Sequence, residues 1–231
     1  MATSNMVRAA NRDVLARLRT LKIVPVIVID DPKDAVPLAT ALIEGGLSCA
    51  EITFRTAGAR DALRQIAAQH PSMLAGAGTV LTPRQAAEAV DAGAQFIVAP
   101  GFNPAVVDYC LEHEIPVYPG ICTPTEIEMA LGKGLETVKF FPAEPIGGLP
   151  YLKAISAPYG AMTFMPTGGI NPANLPNYLS FRKVVACGGS WMAPADWIAA
   201  KQFGRIRAET EKAVALVRDA PVAGESRGAT A

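Results

Sequence analysis

The chain has little of what metal, redox and polyanion-binding chemistries require. Its 231 residues include 4 cysteines and 2 histidines. Cys49, Cys110, Cys122 and Cys187 stand far apart with no C-x-x-C pair, and His70 and His113 have no second histidine or cysteine pair at ligand spacing. Zinc and haem spacings are therefore missing, and a chain long enough to bury its own core has no need of disulfides. Basic and acidic side chains number 21 each, a formal net charge of zero. That leaves no electrostatic footprint for nucleic acid or an anionic membrane surface. The longest aliphatic stretch, Ile23 to Ile29, falls far short of the roughly 18 residues of a membrane span. The opening MATSNMVRAANRD has no apolar segment of a secretion signal, and no N-x-S/T sequon occurs. A cytoplasmic protein with no zinc or haem site and no polyanionic partner is expected.

What is present is a hydrophobic half, 50% of residues, punctuated by 20 glycines and 19 prolines spread along the chain. Short β-branched or aromatic runs recur, each followed by a helix-like segment. Strands are predicted at 23–29, 49–54, 73–79, 96–100, 116–120, 137–141, 162–166 and 184–187. Asp31-Pro32, Thr82-Pro83, Asn103-Pro104, Thr123-Pro124 and Asn171-Pro172 each place a capping residue before a proline, which is a helix-start signal. Alternating strands and helices over this length predict an α/β fold, a single (β/α)8 TIM barrel with an extra N-terminal helix. A doubly wound sheet is the rival, but the turn after the first strand lacks its glycine fingerprint. The expected organisation is an N-terminal helical extension over 1–22, a barrel over 23–219 and a frayed tail over 220–231.

Barrel enzymes work at the C-terminal ends of their strands, so polar residues there are the ones to question. Glu51, Thr53 and Arg55 are spaced by two and are expected to share one face of the second strand, projecting into the barrel. A buried ion pair is the bland reading of such charges; a functional one is favoured, because burying charge is costly. Lys139 sits between Val138 and Phe140-Phe141 inside another strand, and lysine is seldom buried without a reason. An ordinary lysine titrates near 10.4 and is almost wholly protonated at neutral pH. Desolvation by Phe140 and Phe141 and repulsion from Arg55 would favour the neutral amine that attacks a carbonyl. The alternative is a lysine paired with Glu51 for stability alone. Finally, Gly168-Gly169 follows the seventh strand and Gly188-Gly189-Ser190 the eighth, the two places where barrels cradle a phosphate on backbone N–H groups.

Taken together, Glu51-Ile-Thr-Phe-Arg-Thr56, Gly76-Ala-Gly-Thr79, Val98-Ala-Pro-Gly101, Pro119-Gly120, Val138-Lys-Phe-Phe-Pro-Ala143, Pro166-Thr-Gly-Gly-Ile170 and Gly188-Gly-Ser-Trp191 resemble the 2-keto-3-deoxy-6-phosphogluconate (KDPG) aldolases, a family that includes 4-hydroxy-2-oxoglutarate (KHG) aldolases. The resemblance implies a metal-free, cofactor-free class I aldolase, a homotrimer acting on a 2-keto-3-deoxy sugar acid and releasing pyruvate. It implies Lys139 as the Schiff-base lysine and Glu51 as the general acid/base. Arg55 and Thr79 would hold the substrate carboxylate, Pro100 and Phe141 would line the pocket, and Gly168, Gly169, Gly189 and Ser190 would bind phosphate. Asp30 and Asp31, at the end of the first strand, are expected to face solvent with Asp31 capping the next helix. Facing the mouth, they would favour an unphosphorylated or epimeric substrate. A barrel isomerase or epimerase using Glu51 without covalent chemistry, or a non-catalytic phosphate-binding barrel, are the other readings.

Overall fold

Residues 2–219 are described by a computed structural model. Nine short parallel strands, all but β5 and β6 separated by helices, make up the sheet: β1 (Ile23–Ile27), β2 (Cys49–Thr53), β3 (Leu74–Gly78), β4 (Ile97–Val98), β5 (Val117–Tyr118), β6 (Gly120–Ile121), β7 (Thr137–Phe140), β8 (Thr163–Pro166) and β9 (Cys187–Gly189). The helices are α1 (Ala2–Leu21), α2 (Ala35–Glu44), α3 (Ala59–Gln69), α4 (Pro83–Asp91), α5 (Pro104–Glu112), α6 (Pro124–Gly132), α7 (Gly148–Ser156), α8 (Leu175–Leu179), α9 (Ala195–Ala199) and α10 (Phe203–Asp219). The expected tail over 220–231 lies outside the described residues.

The result is a mixed α/β fold on a curled parallel sheet. Strands β5-β4-β3-β2-β1-β9 form one run and β6-β7-β8 another. Between β5 and β6 only Pro119 intervenes, and it has no N–H to give a ladder. The expected single fifth strand is thereby split, β5 pairing with β4 and β6 with β7. At the other seam, parallel bridges join Phe164 to Val184 and Thr167 to Gly188. The eighth expected strand accordingly runs later than its β-branched residues suggest. Val184 makes a lone bridge, and the regular strand is Cys187-Gly188-Gly189.

Alternation divides the strands between two cores. Ile23, Ile27, Ala50, Ile52, Ala75, Ala77, Val138 and Phe140 pack outward against the helices. Val24, Cys49, Leu74, Phe96, Val98, Tyr118 and Met165 fill the inside of the curl, where Val14 and Leu18 of α1 join them. Helix α1 thus contributes apolar side chains to the interior cluster, and the polar side chains are left for the opposite, C-terminal end of the strands.

Four of the five cap-proline signals open helical structure. Thr82, Asn103 and Thr123 cap α4, α5 and α6 through their side-chain oxygens, with Glu126 completing a capping box at Thr123. Asp31 accepts from the Lys33 amide and opens a short 3-10 turn before α2. Asn171-Pro172 instead opens a turn, and α8 begins only at Leu175. After Ala195 the chain forms two helices, α9 and α10, separated where Lys201 takes φ +55°.

Candidate active site

Glu51 is the third residue of β2 and shares its inward face with Cys49, while Ala50 and Ile52 face the helices. Its carboxylate has room because β3 offers glycine opposite. In register Glu51 pairs with Gly76, and a Cβ on Gly78 would strike Oε1 of Glu51. Lys139 is the inward residue of β7, in register with Gly120 and Met165.

The two side chains meet inside the curl. Lys139 Nζ lies 3.6 Å from Glu51 Oε1, and the side chains are 6% and 4% exposed. That oxygen has no hydrogen-bond partner among the described residues. Beside the pair is a cavity of about 10 Å³, lined by Glu51, Lys139, Phe96, Met165, Thr167 and Gly188; a space of that size holds about one water. A carboxylate at long ion-pair range, buried and short of a donor, is poised to take up a water or a reacting hydroxyl. A larger hollow of about 320 Å³ lies at the strand starts, between Arg12 and Leu15 of α1 and the Leu135–Thr137 segment, away from Lys139 and Glu51.

The aromatic surroundings of Lys139 differ from expectation. Phe140 points outward and stacks on Tyr151 with centroids 6.2 Å apart, because adjacent strand residues face opposite sides. Phe141 alone reaches the amine, its ring centroid 5.0 Å from Nζ; it is half-buried, as is Pro100, whose carbonyl closes the Cβ space of Gly120.

Arg55 is likewise not inside. Strand β2 ends at Thr53, the Arg55 amide turns back to the Thr53 carbonyl at 2.8 Å, and the Arg55 side chain is exposed. The alternation that put Glu51 and Arg55 on one inner face stops with the strand. Arg55 Nε donates to Thr79 Oγ1 at 3.1 Å, and Thr79, just after β3, holds φ +57°. A left-handed β-branched residue costs on the order of 1–3 kcal/mol and marks functional positions.

Across the mouth, Gly168 and Gly169 take φ +99° and +81°, conformations that favour glycine. Thr167 leads into this turn. Its hydroxyl fills the place a Cβ on Gly188 would need, which explains a glycine inside β9. Gly188 and Gly189 are thus strand residues rather than a loop, with Ser190 exposed just beyond. In the sequence Thr167 stands only as the lead into the glycine pair; its packing against Gly188 has no local signal there. Asp30 and Asp31 are exposed, and Asp31 serves as the expected cap. Among the described residues no group of three or more His, Cys, Asp or Glu could hold a metal ion.

A buried lysine against a buried carboxylate, inside a curled parallel sheet with a glycine turn at its mouth, is the arrangement of an α/β enzyme that pairs an amine nucleophile with a carboxylate acid/base. Comparisons with known proteins narrow the class. Residues 14–209 match the family described as KDPG and KHG aldolase. The 2-dehydro-3-deoxy-phosphogluconate aldolase of Treponema pallidum is 48% identical over 88% of this chain and 97% of its own. The KHG/KDPG aldolase of Escherichia coli K12 is 45% identical over 85% of this chain and 92% of its own. Among solved structures, the KDPG aldolase of Legionella pneumophila, with pyruvate captured at low pH as a covalent carbinolamine, superposes with a TM-score of 0.83 at 40% identity, covering 86% of this chain and 97% of that one. The 2-keto-3-deoxy-6-phosphogluconate aldolase of Zymomonas mobilis with 3-phosphoglycerate gives 0.83 at 37% identity, covering 90% and 98%. The chain belongs to the KDPG and KHG aldolase family.

Proposed function

We propose that this protein is a class I aldolase that cleaves 2-keto-3-deoxy-6-phosphogluconate to pyruvate and glyceraldehyde 3-phosphate and also accepts 4-hydroxy-2-oxoglutarate. The observation that carries the reading is the approach of Lys139 Nζ to the unpartnered Glu51 Oε1 in the buried interior. Lys139, as the free amine, adds to the C2 ketone, and loss of water gives an iminium. Glu51, through the water its cavity accommodates, takes the proton of the C4 hydroxyl. The C3–C4 bond breaks, its electrons pass into the iminium, and the aldehyde leaves. Glu51 returns a proton to the enamine methylene, and hydrolysis frees pyruvate and the amine.

Arg55 and Thr79 hold the carboxylate, with the fork of Arg55 free beyond the Nε it gives to Thr79. Pro100 and Phe141 shape the wall of the pocket. Gly168, Gly169, Gly189 and Ser190 take the phosphate; the Gly168 and Gly169 amides meet no protein acceptor among the described residues, which leaves them for an anion. Around this site we read a single (β/α)8 barrel over 23–219, with an N-terminal helical extension over 1–22 whose Val14 and Leu18 join the interior cluster. A cytoplasmic homotrimer is the assembly proposed from the family resemblance. Among the described residues no helix is long and apolar enough to cross a membrane.

Incubation with pyruvate followed by borohydride reduction, with the adduct located by mass spectrometry, tests the reading. A stable adduct on Lys139 is expected. Turnover without any adduct would support a non-covalent isomerase in its place.

A further inference from the structure

The phosphate turn rests on residues that the chemistry above does not use. Two side-chain amides hold the Gly169 carbonyl, Asn171 Nδ2 at 3.2 Å and Asn174 Nδ2 at 3.0 Å. The Gly168 carbonyl accepts from the Glu144 amide at 3.0 Å, and the Thr167 carbonyl from the Ala143 amide at 2.8 Å. With its carbonyls tied back, the turn keeps the Gly168 and Gly169 N–H groups without a protein acceptor among the described residues.

Glu144 is a problem for such a site. A Cβ on Gly169 would come within 2.6 Å of Glu144 Cβ and 2.7 Å of its Cγ, so the glutamate stem runs directly under the turn. A carboxylate released there would repel the dianion the turn is meant to hold. It is drawn away: the hydroxyl of Tyr178, a buried residue of α8, donates to Glu144 Oε1. The two groups sit by the start of α7, where a Cβ on Gly148 would meet Oε1 at 2.9 Å and the Tyr178 hydroxyl at 3.3 Å. Burial, and then the bond to Glu144, push the phenol above its ordinary range, so the hydroxyl keeps the proton it donates.

We infer that Tyr178 is a positioning residue for phosphate recognition: it parks the Glu144 carboxylate at the start of α7, off the Gly168–Gly169 turn, so that the turn's amides accept a dianion. The inference rests on the aldolase reading for the site itself. It assigns to a residue 34 positions away in sequence from Glu144 a share in the choice between phosphorylated and unphosphorylated substrates.

The test uses the full chain with KDPG, KHG and inorganic phosphate as a competitive inhibitor. Tyr178→Phe keeps the ring and frees the carboxylate. The ratio of kcat/KM for KDPG to that for KHG should fall about tenfold, roughly one lost hydrogen bond, mostly through KM, and inhibition by phosphate should weaken by a similar factor. Adding Glu144→Gln should restore both, because the charge is gone; Glu144→Gln alone should leave phosphate binding equal or tighter, which covers the case of a poorly folded Tyr178→Phe. Equal losses on both substrates, no loss, or no rescue by Glu144→Gln would overturn the inference alone. A wild-type enzyme that phosphate does not inhibit would remove the phosphate site and the inference with it. Failure of the parallel pyruvate–borohydride adduct would identify the aldolase reading as the part at fault.

Discussion

Gly78 lies beneath the carboxylate of Glu51 so closely that an added Cβ would fall on Oε1. The glycine is fully enclosed in β3 and has no left-handed backbone to explain it; what it supplies is the absence of a side chain. Gly78→Ala should therefore shift the glutamate away from Lys139 rather than break the fold. Overpacking of this kind costs about 1–3 kcal/mol. A displacement of about 1 Å at a reacting group costs around a hundredfold in rate. Denaturant unfolding should show the first and kcat the second, and a variant with unchanged kcat would mean that Glu51 does not need its present position.

The Lys139–Glu51 pair separates stability from chemistry. Lys139→Met leaves Glu51 buried without a counter-charge, which should destabilise the protein by about 3 kcal/mol and abolish the borohydride adduct. Glu51→Gln added to that variant should recover part of the stability and none of the activity. Glu51→Gln alone should slow cleavage by about two to four orders of magnitude while the pyruvate adduct still forms. Urea titrations of the single and double variants give the coupling, and an additive pair would show the two groups independent.

These residues were also the most legible ones. A lysine and a glutamate embedded in apolar strands announce themselves, because periodicity alone places them inward, and each strand is long enough at that point for the period to hold. Thr82, Asn103 and Thr123 were legible for a similar reason, since a cap acts over three or four residues. What stayed hidden depends on partners distant in sequence. Nothing local to Arg55 reveals that β2 ends at Thr53; that follows from the turn bond between them and the reach to Thr79. Gly188 and Gly189 read as loop because glycine is a poor strand former, yet Thr167, across the seam, requires a missing Cβ at Gly188 and the Trp191 ring one at Gly189. Pro119 reads from the sequence as part of one strand, whereas it is the joint at which β5 and β6 take different neighbours.

Arg55 and Thr79 should govern the keto-acid end shared by every substrate. Arg55→Lys loses both the Nε donor and the planar fork. Hydrogen bonds to charged groups contribute about 1.5–3 kcal/mol, so KM for KDPG and KHG, and the pyruvate concentration for half-maximal adduct formation, should all rise by about tenfold to a hundredfold. This is a different signature from that of Tyr178→Phe, which discriminates between the two substrates. A rise confined to KDPG would place Arg55 at the phosphate instead.

The buried thiols set an alkaline limit on stability. Burial pushes Cys110 up to about 12 and raises Cys49 and Cys187 above the ordinary thiol range. Unfolded, each titrates near 8.5. Below that value folded and unfolded chains bind the same protons at these sites, and the thiols have no effect on pH dependence. As pH rises beyond it the unfolded chain loses protons that the native chain keeps, so the stability present below the unfolded value is lost progressively toward the folded one. Each thiol contributes a slope of about 1.4 kcal/mol per pH unit. Urea midpoints measured from pH 8 to about 11 should fall more steeply for the native sequence than for a variant carrying Cys49→Ala, Cys110→Ala and Cys187→Ala, once each is referred to its own value at pH 8. Parallel curves would show that these thiols ionise alike in the folded and unfolded chains.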